Sequence, residues 1–323
     1  MRFDERLYPW GTRMATVGAL VWVILVVGVL LGAFHLNIFD LLFLLAPWAV
    51  VPLALSLVPV TPVTGVDRVS CLAVRYLLFP GAVLSTVSFF LREGKAAAGL
   101  VCLWVVLAAA LALDGLGRFI QTRLKSFPQF CYAIGEGYAL VGALWLLASR
   151  LGLQPFGFHE PIVLLTAVHF HYAGLMAAIL AGLAASETGT KHPRPILRMA
   201  LSCAVLGPGL LGLAFLAGPK MKLAAVGLML IGESGIALGT FRIGLADARN
   251  FGGRMLLIGS ASVIFGMTLA GIWAIGEYPL HAFVNLEQMA RFHGVLNSAG
   301  FGLCSLVGWT FLRGKPQAGR EQA

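Results

Sequence analysis

The sequence predicts an all-α protein, a polytopic membrane helix bundle of about ten transmembrane helices with both termini cytoplasmic. Three observations predict it: the shortage of charge, the recurrence of long apolar runs, and the uneven placement of basic residues. Hydrophobic residues make up 59% of the 323 and charged residues 11%, with a mean hydropathy of +0.88. A soluble domain is roughly 45–50% apolar and about 25% charged. A chain this poor in charge cannot cover a water-facing surface of its size.

A bilayer core about 30 Å thick is crossed by roughly 20 residues of apolar helix, and ten segments qualify. The first, 14–34, follows Arg2, Arg6 and Arg13; it is too long for a signal peptide and lacks a small-residue cleavage site, so it reads as a retained signal anchor. The second, 39–59, should be capped by Asp40 and bent by Pro47 and Pro52. The third and fourth, 69–91 and 96–113, lead to Asp114 and Arg118, spaced for a local i,i+4 ion pair at the cytoplasmic end. The fifth, 130–148, is crowded by Gly135, Gly137 and Gly142; the sixth is 161–183; the seventh, 198–217, should bend at Pro208. In the eighth, 223–241, Gly232, Gly235 and Gly239 line one side and allow close helix approach. The ninth and tenth are 255–275 and 289–312. So many spans leave mostly short connections, and the whole chain, 1–323, is expected to be one transmembrane domain.

Orientation follows from counting. With the N-terminus in the cytoplasm, that side holds 17 of the 23 basic residues, in clusters such as Arg118, Arg123 and Lys125 or Arg242, Arg249 and Arg254. Only Arg92, Lys95, Arg150, Lys220, Lys222 and Arg291 fall opposite. Trp10, Trp145, Trp273 and Trp309 lie near span ends, where interfacial anchors belong. The net charge of +9 is not arranged as a basic stripe interleaved with aromatics, so nucleic acid is not an expected partner. Cys71, Cys102, Cys131, Cys203 and Cys304 show no zinc or redox spacing and read as small buried thiols.

The functional candidates are the ionisable residues within the apolar runs. A charge at mid-bilayer costs at least about 2.5–3.5 kcal/mol, so such groups face a cavity or a partner. Glu136, in CYAIGEGYAL, and Glu233, in LMLIGESGIAL, are flanked by small residues that leave room for a substrate or a helix. Either carboxyl could exchange protons, or could simply hold two helices together. His169 and His171, in TAVHFHYAGL, differ by about 200° around the helix and should not share a small site. Thr166 and Tyr172 share the face of His169; His293 opens the tenth span with Asn297 one turn later; Tyr132 stands one turn before Glu136. Tyr172, Asn297, Tyr132 and Thr166 are the expected substrate contacts. His159, Glu160, Glu277, His281 and Glu287 lie on the outer side and read first as solvated loop residues, with the mouth of a cavity as the alternative.

Two stretches resemble each other. Each has a Trp (Trp145, Trp273), a Gly-x-x-Pro (Gly152 and Pro155; Gly276 and Pro279), a Glu (Glu160, Glu287) and a Phe-His pair (Phe170-His171, Phe292-His293). As a parallel repeat, this favours His171 as the partner of His293. Around LTAVHFHYAGL and RFHGVLNSAGFGLCSLVGW the chain also resembles the YndJ-like family of bacterial integral membrane proteins, most clearly over 129–185 and 254–312. The resemblance implies a multi-pass protein of the bacterial cytoplasmic membrane with a histidine-bearing site. It implies no activity and carries over no catalytic residue.

No G-x-x-x-x-G-K-[ST] appears, which argues against ATP-driven transport by this chain. Seven histidines, mostly scattered, do not make the tight boxes of a di-iron desaturase, and no haem-attachment motif occurs. A metal held by His171, His293 and a glutamate is a minor option, and neither metal nor cofactor is assigned. Two readings compete. The first is a membrane-embedded acid–base enzyme of cyclase, epoxide-opening or isomerase type acting on a lipophilic small molecule. Glu233 or Glu136 would be its acid and His171 or His293 its base. The second is a proton-coupled secondary transporter of a small molecule using the same residues; no span reads as two half-helices, which weighs against it. A structural or sensory subunit is the third. The enzyme comes first because a compact cluster of His and Glu in a chain with almost no loops suits a sealed reaction chamber; convergence of Glu136, Glu233, His171 and His293 on one cavity would favour chemistry, and a file of residues through the membrane would favour transport. Oligomeric state is not legible.

Overall fold

The structure, a computed structural model, describes residues 10–59, 65–122, 125–187, 194–277 and 285–314. Arg2, Arg6, Arg123, Lys191, Pro279, His281, Lys315 and Arg320, and the side chain of Glu277, lie outside what is described.

All ten expected spans form as helices: α1 Gly11–Leu30, α2 Ile38–Leu57, α3 Gly65–Ser88, α4 Lys95–Thr122, α5 Phe127–Leu151, α6 Ile162–Ser186, α7 Pro195–Ala217, α8 Pro219–Ala246, α9 Phe251–Glu277 and α10 Leu286–Arg313. Among the described residues ten helices are long and apolar enough to cross a membrane, so the chain is a multi-pass membrane helix bundle. The fourth helix runs nine residues past its expected end, and so carries Asp114 and Arg118 into the bundle.

Consecutive helices pair along most of the chain, and α2 lies at the centre, packed against α1, α3, α6 and α10. Its apolar window is 89% buried, against 28% for α1, which leaves one broad face to lipid. The start of α2 is a capping box: the Asn37 side chain accepts from the amides of Phe39 and Asp40 at 2.8 and 3.1 Å, and Asp40 accepts from the Asn37 amide at 2.8 Å. Asp40 is thus half of the cap; the residue at the N-cap itself is Asn37.

Three helices leave α geometry. Ala46–Val50 of α2, Phe170–Met176 of α6, and both Ala290–Gly294 and Leu296–Leu303 of α10 are π-helical. The prolines expected to bend α2, Pro47 and Pro52, flank or begin its π segment. The π segments of α2, α6 and α10 pack on one another near the middle of the bundle, and both Phe-His pairs fall within such segments. Pi-helical turns are rare and gather at functional sites.

Glycines set the close approaches. A Cβ on Gly232 would collide with the Ala204 backbone of α7, and one on Gly235 would meet Ala200 at 2.7 Å. Two expectations are corrected. Trp309 is no interfacial anchor: its side chain is fully buried among the helices rather than at the surface. Of the cysteines only Cys131 is fully buried, while Cys102 is exposed on the outer surface of α4.

Candidate functional site

The intramembrane polar residues fall into separate layers. In the third of the bundle that the charge count assigns to the cytoplasmic side, Arg118 of α4 is enclosed and uses all five of its N–H donors. Nε and Nη2 reach the two oxygens of Glu136 at 3.3 Å each, Nη2 also meets Asp114 at 2.9 Å, and Nη1 donates to Gln129 at 2.7 Å and to the Pro59 carbonyl at 3.1 Å. Ser70 of α3 donates to the other oxygen of Asp114 at 3.0 Å. The i,i+4 pair read from the sequence therefore exists, but Glu136 of α5 completes it. The fork-to-carboxylate geometry suits arginine alone.

Beside this network Arg313 of α10 donates to Ser186 at 2.9 Å and to the Leu57 carbonyl at 3.4 Å. Arg313 thus meets the last carbonyl of α2, where a helix is short of donors and its dipole favours cations, and Arg118 meets the Pro59 carbonyl just beyond that end. Tyr132 packs on Gly182 of α6, where a Cβ would clash with its ring, and its hydroxyl neighbours Ser186.

The central layer belongs to His171. Its Nδ1 meets the Ala167 carbonyl at 2.8 Å and its Nε2 meets the Trp104 indole N–H at 3.0 Å. An indole can only donate, so Nε2 carries the lone pair and Nδ1 the proton. The ring stacks on Trp104 and stands edge-on to Phe43. A neighbouring cavity of about 10 Å³, lined by Trp104, Ala139, His171 and Leu175 among others, is about large enough for one water. Tyr172 turns toward α2 and donates to the Leu42 carbonyl at 2.9 Å. Thr166 is bonded within its own helix, to the Ile162 carbonyl at 2.8 Å.

The outer layer joins His169 and His293. His293 Nδ1 meets the Gly266 carbonyl of α9 at 2.8 Å, and Asn297 donates to the His293 carbonyl at 2.9 Å. His169 lies within electrostatic reach of His293 and beside the Pro208 backbone of α7, and its Nε2 is buried without a hydrogen-bond partner among the described residues. The expectation that His171 pairs with His293 is corrected: both ring nitrogens of His171 are taken by Trp104 and Ala167, and His293 Nδ1 meets Gly266 of α9. Glu233 of α8 is buried, and its Oε2 has no hydrogen-bond partner among the described residues. At the outer end of α10 an open cleft of about 360 Å³ is lined by Asn285, Glu287, Gln288, Arg291 and Phe292. Glu160 there is more than a solvated loop residue, since it accepts the Leu164 amide at 3.1 Å at the start of α6.

The four residues whose convergence would favour chemistry do not share one cavity. Glu136 is committed to Arg118, His171 to Trp104 and Ala167, and His293 to α9. No group of three or more His, Cys, Asp or Glu that could hold a metal ion occurs among the described residues. Sequence reasoning missed Trp104, Arg313 and the reach of Arg118, because each acts across helices remote in the chain.

The YndJ-like protein family matches residues 41–301. This chain belongs to that family. The match reaches well into the first hundred residues, where the resemblance is hardest to see in the motifs. The uncharacterized membrane protein YndJ of Bacillus subtilis (strain 168) is 27% identical over 219 residues, which cover 68% of this chain and 39% of that protein. The chain thus spans about two fifths of the length of this relative. No solved structure matches it.

Proposed function

We propose that this chain is a secondary transporter of a small, lipophilic molecule in the bacterial cytoplasmic membrane, coupled to protons through Glu233 and His169. The observation that carries this reading is the separation of the buried polar groups into layers at different depths. Acid–base catalysis needs an acid and a base across one cavity, within reach of the same substrate atoms. Here Glu136 is locked in an ion pair and both ring nitrogens of His171 are taken. Of the glutamates and histidines singled out in the sequence, His169 and Glu233, on different helices, each have a buried hydrogen-bonding atom with no partner among the described residues. Packed π segments in α2, α6 and α10 supply backbone whose hydrogen-bond register can change, in place of the half-helices missing from the sequence. Family membership and the Bacillus subtilis relative support the bacterial membrane location.

The test is reconstitution into vesicles loaded with a pH-sensitive dye, with an imposed pH gradient and a panel of lipophilic small molecules. Substrate-dependent proton flux, lost in Glu233→Gln and reduced in His169→Ala, is the expected result. Uptake that ignores the gradient, or full coupling in both variants, would overturn the proposal. Chemical turnover of a panel member by the detergent-purified protein would restore the enzyme reading.

A further inference from the structure

The inner face of α10 carries polar atoms that its surroundings do not satisfy. Ser298, Ser305 and Trp309 are almost wholly buried, and the two hydroxyls and the indole N–H find no hydrogen-bond partner among the described residues. Ser305 and Trp309, four apart in the α-helical part Cys304–Arg313, share a helix face, and Ser298 lies in the π segment that precedes it. Hydroxyls elsewhere in the bundle behave differently. Thr86, Thr166, Ser202, Thr240, Ser260 and Thr268 each bond back to a carbonyl four residues earlier, as does Thr310 beside Trp309. Of the three buried hydroxyls without a partner, two lie on α10; Ser85 of α3 is the other.

Small residues let the neighbouring helices come close to this face. Ser305 occupies the space a Cβ on Gly259 of α9 would fill, and Gly302 packs against Met176 of α6. Both ends meet polar groups already described. Asn297, next to Ser298, bonds to His293, and the Arg313 guanidinium sits 5.6 Å from the centre of the Trp309 ring. The stretch from His293 to Arg313, largely π-helical up to Leu303 and α-helical from Cys304, runs between the two. Buried polar groups without protein partners are where proteins hold water, and inside a membrane leaving them bare is costly.

We infer that the seam along α10, between α9 and α6, is an aqueous pathway lined by Ser298, Ser305 and Trp309. It links the outer histidine layer to the cytoplasmic arginine layer and takes water and hydronium as its ligands. Its use for proton delivery rests on the transport reading; its hydration does not.

The experiment probes hydration alone. In a chain whose five cysteines are replaced by alanine, Ser298→Cys and Ser305→Cys are exposed to Ag⁺, and the surviving thiols are labelled after denaturation. Both should react at least tenfold faster than Ala178→Cys, at a fully buried apolar position of α6. Independently, hydroxyl-radical footprinting of the unaltered protein should oxidise Trp309 well above the buried Trp48 and Trp104, and this measurement decides the matter if the cysteine variants fail to fold. Rates at the Ala178→Cys level, or Trp309 labelled no more than Trp48, would overturn the pathway. A wet seam in vesicles without coupled flux would leave the pathway standing and remove the transport reading. Coupled flux with a dry seam would do the reverse.

Discussion

Trp104 donates its indole N–H to Nε2 of His171 across 3.0 Å, and that bond fixes the tautomer of the most conspicuous histidine in the chain. Together with the Ala167 carbonyl it leaves His171 no free nitrogen. The residue that looks most catalytic in the sequence is held as a packing and hydrogen-bonding element between α4, α5 and α6.

Trp104→Phe keeps the stacking surface but leaves Nε2 buried and unpaired, at a cost of about 1–3 kcal/mol. Thermal unfolding in detergent should show this loss. Gly142→Ala should act on the same ring, because its Cβ would lie 2.6 Å from Nδ1. Wild-type unfolding temperatures in both variants would mean that His171 is not held as described.

Arg118→Gln strands Asp114 and Glu136 in a buried site, and removing one partner of a buried ion pair costs about 3–5 kcal/mol. Adding Glu136→Gln to that variant should recover part of the loss, since one uncompensated charge is then gone. A double-mutant cycle on unfolding temperature measures the coupling. Additive effects would show that the two side chains act separately.

Glutamine replacements at the two membrane glutamates should separate cleanly. Glu136→Gln weakens a pair with Arg118 and should destabilise by about 1–3 kcal/mol. Glu233→Gln has no hydrogen-bond partner to lose at Oε2 and should leave the unfolding temperature unchanged while abolishing proton coupling. Equal destabilisation by both would contradict the contrast.

Two glycines give a packing control. Gly232→Ala drives a methyl into the Ala204 backbone and should reduce folded yield sharply, because backbone cannot yield as a side chain can. Gly137→Ala meets nothing within 4 Å and should shift stability by less than about 0.5 kcal/mol. Fluorescence-detected size-exclusion profiles of the two variants read the difference.

Much of the fold was legible because membrane insertion depends on local hydropathy. An apolar run of the right length reports itself wherever it stands, so all ten spans were found and only their ends moved. The helix of Asp114 and Arg118 was stopped early because charge reads as an exit from the membrane; Glu136, the partner that makes their burial tolerable, lies on the next helix. The site was legible as a set of unusual residues, since an ionisable group in an apolar run is conspicuous by itself. Its grouping was not. The angle between His169 and His171 follows from helix geometry, but which of them meets His293 depends on where α10 packs.

By itself, then, the sequence determined the class of the protein, the number of its spans and the few polar residues that need a reason to be inside. The tertiary structure alone decided that Arg118 takes Glu136, that Trp104 takes His171, that Trp309 is buried, and that α2, α6 and α10 depart from α geometry where they meet. The physical reason is range. Hydropathy and helix phase are properties of neighbours along the chain, whereas hydrogen bonds between helices and the register of a π turn are set by side chains that only folding brings together.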